Sequence, residues 1–85
     1  MYKVKIRKSA AKALLKINSK TIDKFYSAFE RLANDLNQPD LNIKKLEGRE
    51  GYRLRIGAYR ALYRVLNDEL IIDVFKIGSR GDAYK

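Results

Sequence analysis

An α+β fold, made of an N-terminal strand, a two-helix hairpin and a three-stranded antiparallel meander, is predicted by three features of the sequence. Residues 2 to 7 alternate apolar and basic side chains with a period of two, the mark of a half-buried strand. Ile22, Phe25, Phe29, Leu32 and Leu36 recur at spacings of three and four, which draws one apolar stripe along a helix. From Tyr52 onward the chain changes to short runs rich in aromatic and β-branched residues, separated by turn-forming pairs.

In the first strand Tyr2, Val4 and Ile6 share one face, while Lys3, Lys5 and Arg7 share the other. Ser9 is the expected N-cap of a short helix reaching about Ile17, with Ala10, Ala13, Leu14 and Ile17 as its apolar stripe. Lys8, Lys12 and Lys16 form its solvated ridge. Asn18-Ser19 breaks the pattern before the second helix, which is expected to end ahead of Pro39, and the polar stretch from Asn37 to Asn42 reads as a loop. Strands are expected at Tyr52 to Ile56, Tyr59 to Leu66 and Leu70 to Ile77, with Gly57-Ala58 and Asn67-Asp68 as the hairpin turns. Leu62, Leu66, Ile71, Ile72, Val74 and Phe75 should supply most of the apolar side chains of the sheet, with the helix stripe above them. The chain shows no internal repeat, and residues 1–85 are expected to fold as one domain.

Hydrophobic residues make up 46% of the chain, enough apolar side chain to offset the entropy of ordering. The formal net charge of +9 is a dense concentration of one sign, and the resulting self-repulsion points to a polyanionic partner. A membrane surface is a rival polyanion, but no apolar run approaches the ~20 residues that span a bilayer, and Met1 leads directly into the alternating strand without a signal-peptide pattern. Cysteine is absent, which is compatible with a reducing compartment, and the cytoplasm is the expected location.

Several kinds of chemistry are removed by the residue inventory. With neither His nor Cys, a nucleophile–base pair of the usual kind and a thiolate or imidazole zinc site cannot be built. The acidic residues are scattered instead of clustered as magnesium ligands, and the glycines match no phosphate-binding or dinucleotide fingerprint. No cofactor or metal is expected. What remains is a concentration of cations, Lys44, Lys45, Arg49, Arg53, Arg55, Arg60, Arg64 and Arg80, interleaved with Tyr52, Tyr59, Tyr63 and Tyr84. Arg53 and Arg55 point to one face of a strand, and Arg60 on the next can join them. Guanidinium forks hold phosphate oxygens and tyrosine rings stack on unpaired bases, a pairing suited to single-stranded RNA. RNA also supplies its own nucleophile, the 2′-hydroxyl, so the protein need only orient, move protons and stabilise charge. A solvated basic face over core tyrosines has the same composition, and binding without chemistry stays open on these grounds. Tyr52, Tyr59 and Tyr63 read more simply as packing residues.

The segments Lys44-Lys45-Leu46-Glu47-Gly48, Tyr52-Arg53-Leu54-Arg55-Ile56-Gly57-Ala58-Tyr59-Arg60-Ala61-Leu62-Tyr63 and Ile77-Gly78-Ser79-Arg80-Gly81-Asp82-Ala83-Tyr84 together resemble the RelE/ParE toxin superfamily, and within it the RelE branch. The resemblance implies the RelE-like fold and a toxin of a type II toxin–antitoxin pair. For the RelE branch it implies a metal-independent endoribonuclease that cuts mRNA in the ribosomal A site. It assigns Arg60, Arg80 and Tyr84 to catalysis and Arg53, Arg55, Lys44 and Lys45 to RNA phosphate, with Tyr84 stacking on the substrate base. The implied partners are a cognate protein antitoxin, the ribosome and mRNA, with neither membrane nor small-molecule cofactor. A ParE-like inhibitor of DNA gyrase and a noncatalytic RNA-binding module are the alternatives. Well-known RelE members carry lysines where this chain has Arg53 and Arg55, and since arginine is a poor general base, Lys44, Lys45, Tyr84 or a group of the RNA or ribosome is left to take the proton.

Overall fold

The computed structural model describes residues 1–79. Strand β1 (Lys3–Ile6) runs directly into helix α1 (Lys8–Leu14). Arg7, in extended conformation, takes the N-cap position, and its carbonyl accepts the first intrahelical bond from the Ala11 amide. Ser9 therefore lies inside the helix instead of capping it. The regular helix stops at Leu14, but a tighter turn, with the Lys16 amide donating to Ala13 and the Ile17 amide to Leu14, still buries Ile17. Asn18 caps helix α2 (Ser19–Asn34), its Oδ1 accepting from the Thr21 amide at 2.9 Å. At the far end the backbone becomes extended at Asp35, so Leu36 falls outside the helix and is exposed, while Phe25, Phe29 and Leu32 carry the stripe into the core.

Four further strands follow: β2 (Asn42–Lys45), β3 (Tyr52–Ile56), β4 (Tyr59–Leu66) and β5 (Ile71–Ser79). They form one five-stranded sheet in the order β1-β5-β4-β3-β2, antiparallel except that β1 and β5 run parallel. The expected meander is present with one strand added at its edge. Strand β2 has little β-forming signal of its own, and register with β3 holds it, Ile43 opposite Leu54 and Lys44 opposite Arg53. Gly57 supplies the left-handed backbone, φ +58°, that the two-residue β3–β4 turn needs. The β4–β5 connection is longer than the expected Asn67-Asp68 turn, running from Asn67 to Leu70 with Leu70 itself at φ +53°, and β5 begins one residue later at Ile71.

Both helices cover the same face of the sheet. Phe25, stacked on Phe29 at 6.0 Å between ring centres, packs with Leu32, Leu54, Ala61, Ile72 and Val74, all with essentially no exposed surface. Burial of such side chains contributes roughly 1.5–3 kcal/mol each. Tyr63 is buried in the same core, Tyr52 stacks on it at 5.5 Å, and Tyr59 packs against it, so these three tyrosines are packing residues as expected. Burial pushes the Tyr63 phenol up to about 12, with Tyr52 adding to the effect.

A bulge between β4 and β5 decides what the other face displays. Leu62 pairs with Lys76 and the next residue, Tyr63, pairs with Val74, which leaves Phe75 as an extra residue. Strict alternation would place Lys76 under the helices. The bulge turns Lys76 to the helix-free face beside Phe75, and the register places Leu62, Leu66 and Ile71 there as well, so four of the six apolar residues expected beneath the helices lie on the opposite side.

Candidate nucleic-acid interface

The register arranges the helix-free face in rows crossing the strands. One row reads Asn42, Arg55, Arg60 and Gly78; the next reads Lys44, Arg53, Leu62 and Lys76. Strands lie ~4.8 Å apart, so Arg53, Arg55 and Arg60 converge within the reach of their own side chains. Directly opposed like charges repel, and the sheet holds Arg55 opposite Arg60 because the helix-side core, with Leu54 and Ala61 paired between them and fully buried, fixes the register. The Arg55 Nε donates to the Gly57 carbonyl at 3.4 Å, turning that guanidinium toward the hairpin.

A third row holds Arg64, Asp73 and Lys5. Asp73 is the one acidic residue in the five strands and is 3% exposed. Its carboxylate accepts from Arg7 at 3.1 and 2.8 Å and from Arg64 at 2.9 Å. The Arg7 hydrogen bonds hold its carboxyl well below the usual range, with Arg64 acting the same way against the opposing effect of burial. Arg64 also lies over the Phe75 ring at 5.6 Å, as does Arg49 at the same distance. These cations are tied to structure on this face.

The Arg53 end opens into a cleft of about 590 Å³ lined by Lys44, Lys45, Leu46, Glu47, Arg49 and Arg53. Lys44 and Arg53 are cross-strand partners on the helix-free face. Lys45 pairs with Tyr52 on the opposite face, yet lines the same cleft. The sheet thus brings together Arg53, Arg55, Arg60 and Lys44 on one face, and Lys45 joins Lys44 and Arg53 at the cleft. Lys8, Lys12 and Lys16 lie exposed on α1 and around its end, apart from these rows.

The arrangement can cradle a phosphate, and comparison with known proteins bears on whose it is. A profile of the ParE toxins of type II toxin–antitoxin systems matches residues 4–84. A Methanocaldococcus jannaschii protein named as a RelE1 toxin is 38% identical over 99% of this chain and 96% of its own length. The chain belongs to the RelE/ParE toxin superfamily. Its backbone agrees: a chain of the archaeal RelE–RelB complex of Pyrococcus horikoshii OT3 superposes with a TM-score of 0.82 at 31% identity, covering 96% of this chain and 98% of that one. The intact Escherichia coli RelBE complex shares the fold with a TM-score of 0.79 at 18% identity, covering 93% of this chain and 96% of that one.

Within this RelE-like chain, Arg80 and Tyr84 lie outside the described residues. Among those described, no group of three or more His, Cys, Asp or Glu stands together, and no helix is long and apolar enough to cross a membrane. Sequence reasoning missed Lys76 as a surface cation of the RelE-like face. A bulge leaves no periodicity signal, and only the register exposes it.

Proposed function

We propose that this RelE-like toxin is an endoribonuclease that cuts mRNA in the ribosomal A site through attack by the RNA's own 2′-hydroxyl. The observation that carries the reading is the convergence of Arg53, Arg55 and Arg60, with Lys44 beside them, on the sheet face that no helix of the described residues covers. The 2′-oxygen attacks the adjacent phosphorus, charge accumulates on the non-bridging oxygens, and the 5′-oxygen departs. Guanidinium groups fixed on a rigid sheet supply preorganised donors where that charge develops, and removing one such donor costs ~3–4 kcal/mol in related chemistry. Arg60, on the central strand of the sheet, serves that role. Arg53, Arg55 and Lys44 hold flanking phosphates, with Lys45 contributing from the cleft it lines beside them. The family resemblance adds Arg80 as a second charge-stabilising group and Tyr84 as the stacking platform for the substrate base.

The same face explains the need for a partner. RelE–RelB complexes recur among the structural relatives, and a +9 chain is neutralised most simply by an antitoxin with an acidic or amphipathic segment lying over these arginines. The toxin, its ribosomal substrate and its antitoxin are then all expected in the cytoplasm. A second reading, a gyrase inhibitor, is favoured by the ParE description of the matching profile. Primer extension on mRNA held in programmed ribosomes separates the two. The expected products carry a 2′,3′-cyclic phosphate upstream and a 5′-hydroxyl downstream, formed without any divalent ion beyond those the ribosome itself holds. Arg60→Ala should slow their appearance by about 10²–10³-fold. Intact mRNA together with inhibited gyrase overturns the ribonuclease reading, as do 5′-phosphate products that depend on an added divalent ion.

A further inference from the structure

We infer that Lys76 is the proton donor to the departing 5′-oxygen, an inference that rests on the endoribonuclease reading above. Three observations place it. The β4–β5 bulge swings Lys76 onto the helix-free face, where it shares a row with Arg53 and stands diagonal to Arg60. Between Arg53 and Lys76 in that row is Leu62, which has no exposed surface although it lies outside the helix-side core cluster. The cationic side chains that flank it in the register are positioned to cover it. A phosphate held over this row would have Arg53 on one side, Lys76 on the other and Arg60 adjoining. Electrostatic and hydrogen-bonding interactions of cations lying over a buried apolar residue are stronger than in open water. Finally, Lys76 is half-buried, whereas Lys44, at the opposite end of the same row, is exposed on the edge strand.

The chemistry of the cluster requires such a group. Arginines neutralise charge but hold their protons too tightly to give one up, and an ammonium is the stronger acid of the two. The step balances as follows. The 2′-oxygen forms its bond to phosphorus as its proton passes to water. The P–O5′ bond then breaks with its electron pair going to the 5′-oxygen. That oxygen takes a proton from the Lys76 ammonium, giving a 2′,3′-cyclic phosphate and a 5′-hydroxyl, and the amine regains its proton from solvent. A positioned general acid contributes about 10²–10⁴-fold.

The test uses a leaving group that needs no proton. Two short mRNAs are placed in the A site of programmed ribosomes, one natural and one with sulfur replacing the bridging 5′-oxygen at the cut. A thiol is acidic near ~8.5 and leaves as the anion. Full-length Lys76→Arg keeps the charge and removes the stronger acid. Under single-turnover conditions it should cut the natural RNA about 10²-fold or more slowly than wild type and the sulfur RNA within about threefold of wild type. That restoration also shows that the variant is folded and binds. Wild-type speed on the natural RNA overturns the assignment. Equal slowing on both RNAs also overturns it, since Lys76 would then act through charge placement or folding. A wild-type chain that cuts neither RNA removes the endoribonuclease reading, and this inference with it; cleavage by wild type confines any failure to Lys76.

Discussion

Asp73 allows a quantitative test of how the cationic face is held together. It accepts three hydrogen bonds from two guanidinium groups, and the depressed carboxyl shows that the charged form is favoured by folding. Asp73→Asn preserves the shape but removes the charge and turns an amide donor toward guanidinium donors. A hydrogen bond to a charged group is worth about 1.5–3 kcal/mol net when shielded. Here the Arg7 and Arg64 side chains are 49% and 35% exposed, so both rehydrate once released, and the value per bond falls toward that of exposed pairs. The total expected loss for Asp73→Asn is about 2 kcal/mol. With a urea dependence of about 1 kcal/mol per molar for a chain this small, the unfolding midpoint should drop by about 2 M at neutral pH. The pH dependence has a definite sign. The folded pKa lies below the unfolded value, so the contribution is complete above about pH 4 and is lost as pH falls through the folded value. Wild type and variant should therefore converge in strong acid. Urea titrations across that range decide it: a midpoint difference under about 0.5 M at pH 7, or a difference undiminished at pH 2, refutes the reasoning.

Three further outcomes follow from other features. Gly51 sits at φ +129° with room for a Cβ only 2.9 Å from the Tyr63 carbonyl oxygen, so Gly51→Ala should destabilise by about 1–3 kcal/mol in the same urea assay, and an unchanged midpoint would contradict the tight approach. Tyr63, raised to about 12 by burial, should be the late-ionising phenol in an ultraviolet titration; its stabilising effect is complete below about pH 10 and lost as pH rises through the folded value, and loss of the late step in Tyr63→Phe identifies it. Replacing Arg53, Arg55 or Arg60 with Gln should each lower the slope of log binding constant against log salt for single-stranded RNA by about 0.7, whereas a contact with a base would weaken binding and leave the slope unchanged.

Most of the fold could be read from the sequence, because its signals were periodic. The alternation of β1, the 3–4 spacing of α2 and the β-rich runs of β3, β4 and β5 each reflect one buried face, and burial is what the pattern records. Strand β2 was missed because Asn42-Ile43-Lys44-Lys45 buries little, and its conformation is imposed by hydrogen bonding to β3. The cap of α1 was misplaced for a related reason: the direct run of β1 into the helix sets its start at Arg7, and that arginine is held across the sheet by Asp73. At the candidate site, Arg53, Arg55 and Arg60 fell on one face as simple alternation requires. Alternation failed for Lys76, since the extra residue at Phe75 inverts everything after it without any change in composition. The same alternation puts Lys45 on the opposite face from Lys44, although both line one cleft.

The parallel pairing of β1 with β5 has a consequence for the order in which the chain can fold during synthesis. Among the described residues Lys3 to Ile6 have no strand partner except Ile71 to Val74, and Arg7 waits for Asp73, 66 residues further on. Helix α1 packs mainly on the same late strand. At ~5–20 residues per second the ribosome needs several seconds to cover that distance. Throughout that interval the first strand has only helix α2 to pack against, with the Tyr2 amide donating to the Ala33 carbonyl, and no neighbouring strand to join. Contacts of such separation pay their loop-closure entropy before any return, so the closing of this sheet is a late and slow event. The clock for assembling the cationic face is therefore set by the emergence of β5, and a nascent chain carries its N-terminal strand unpaired until then.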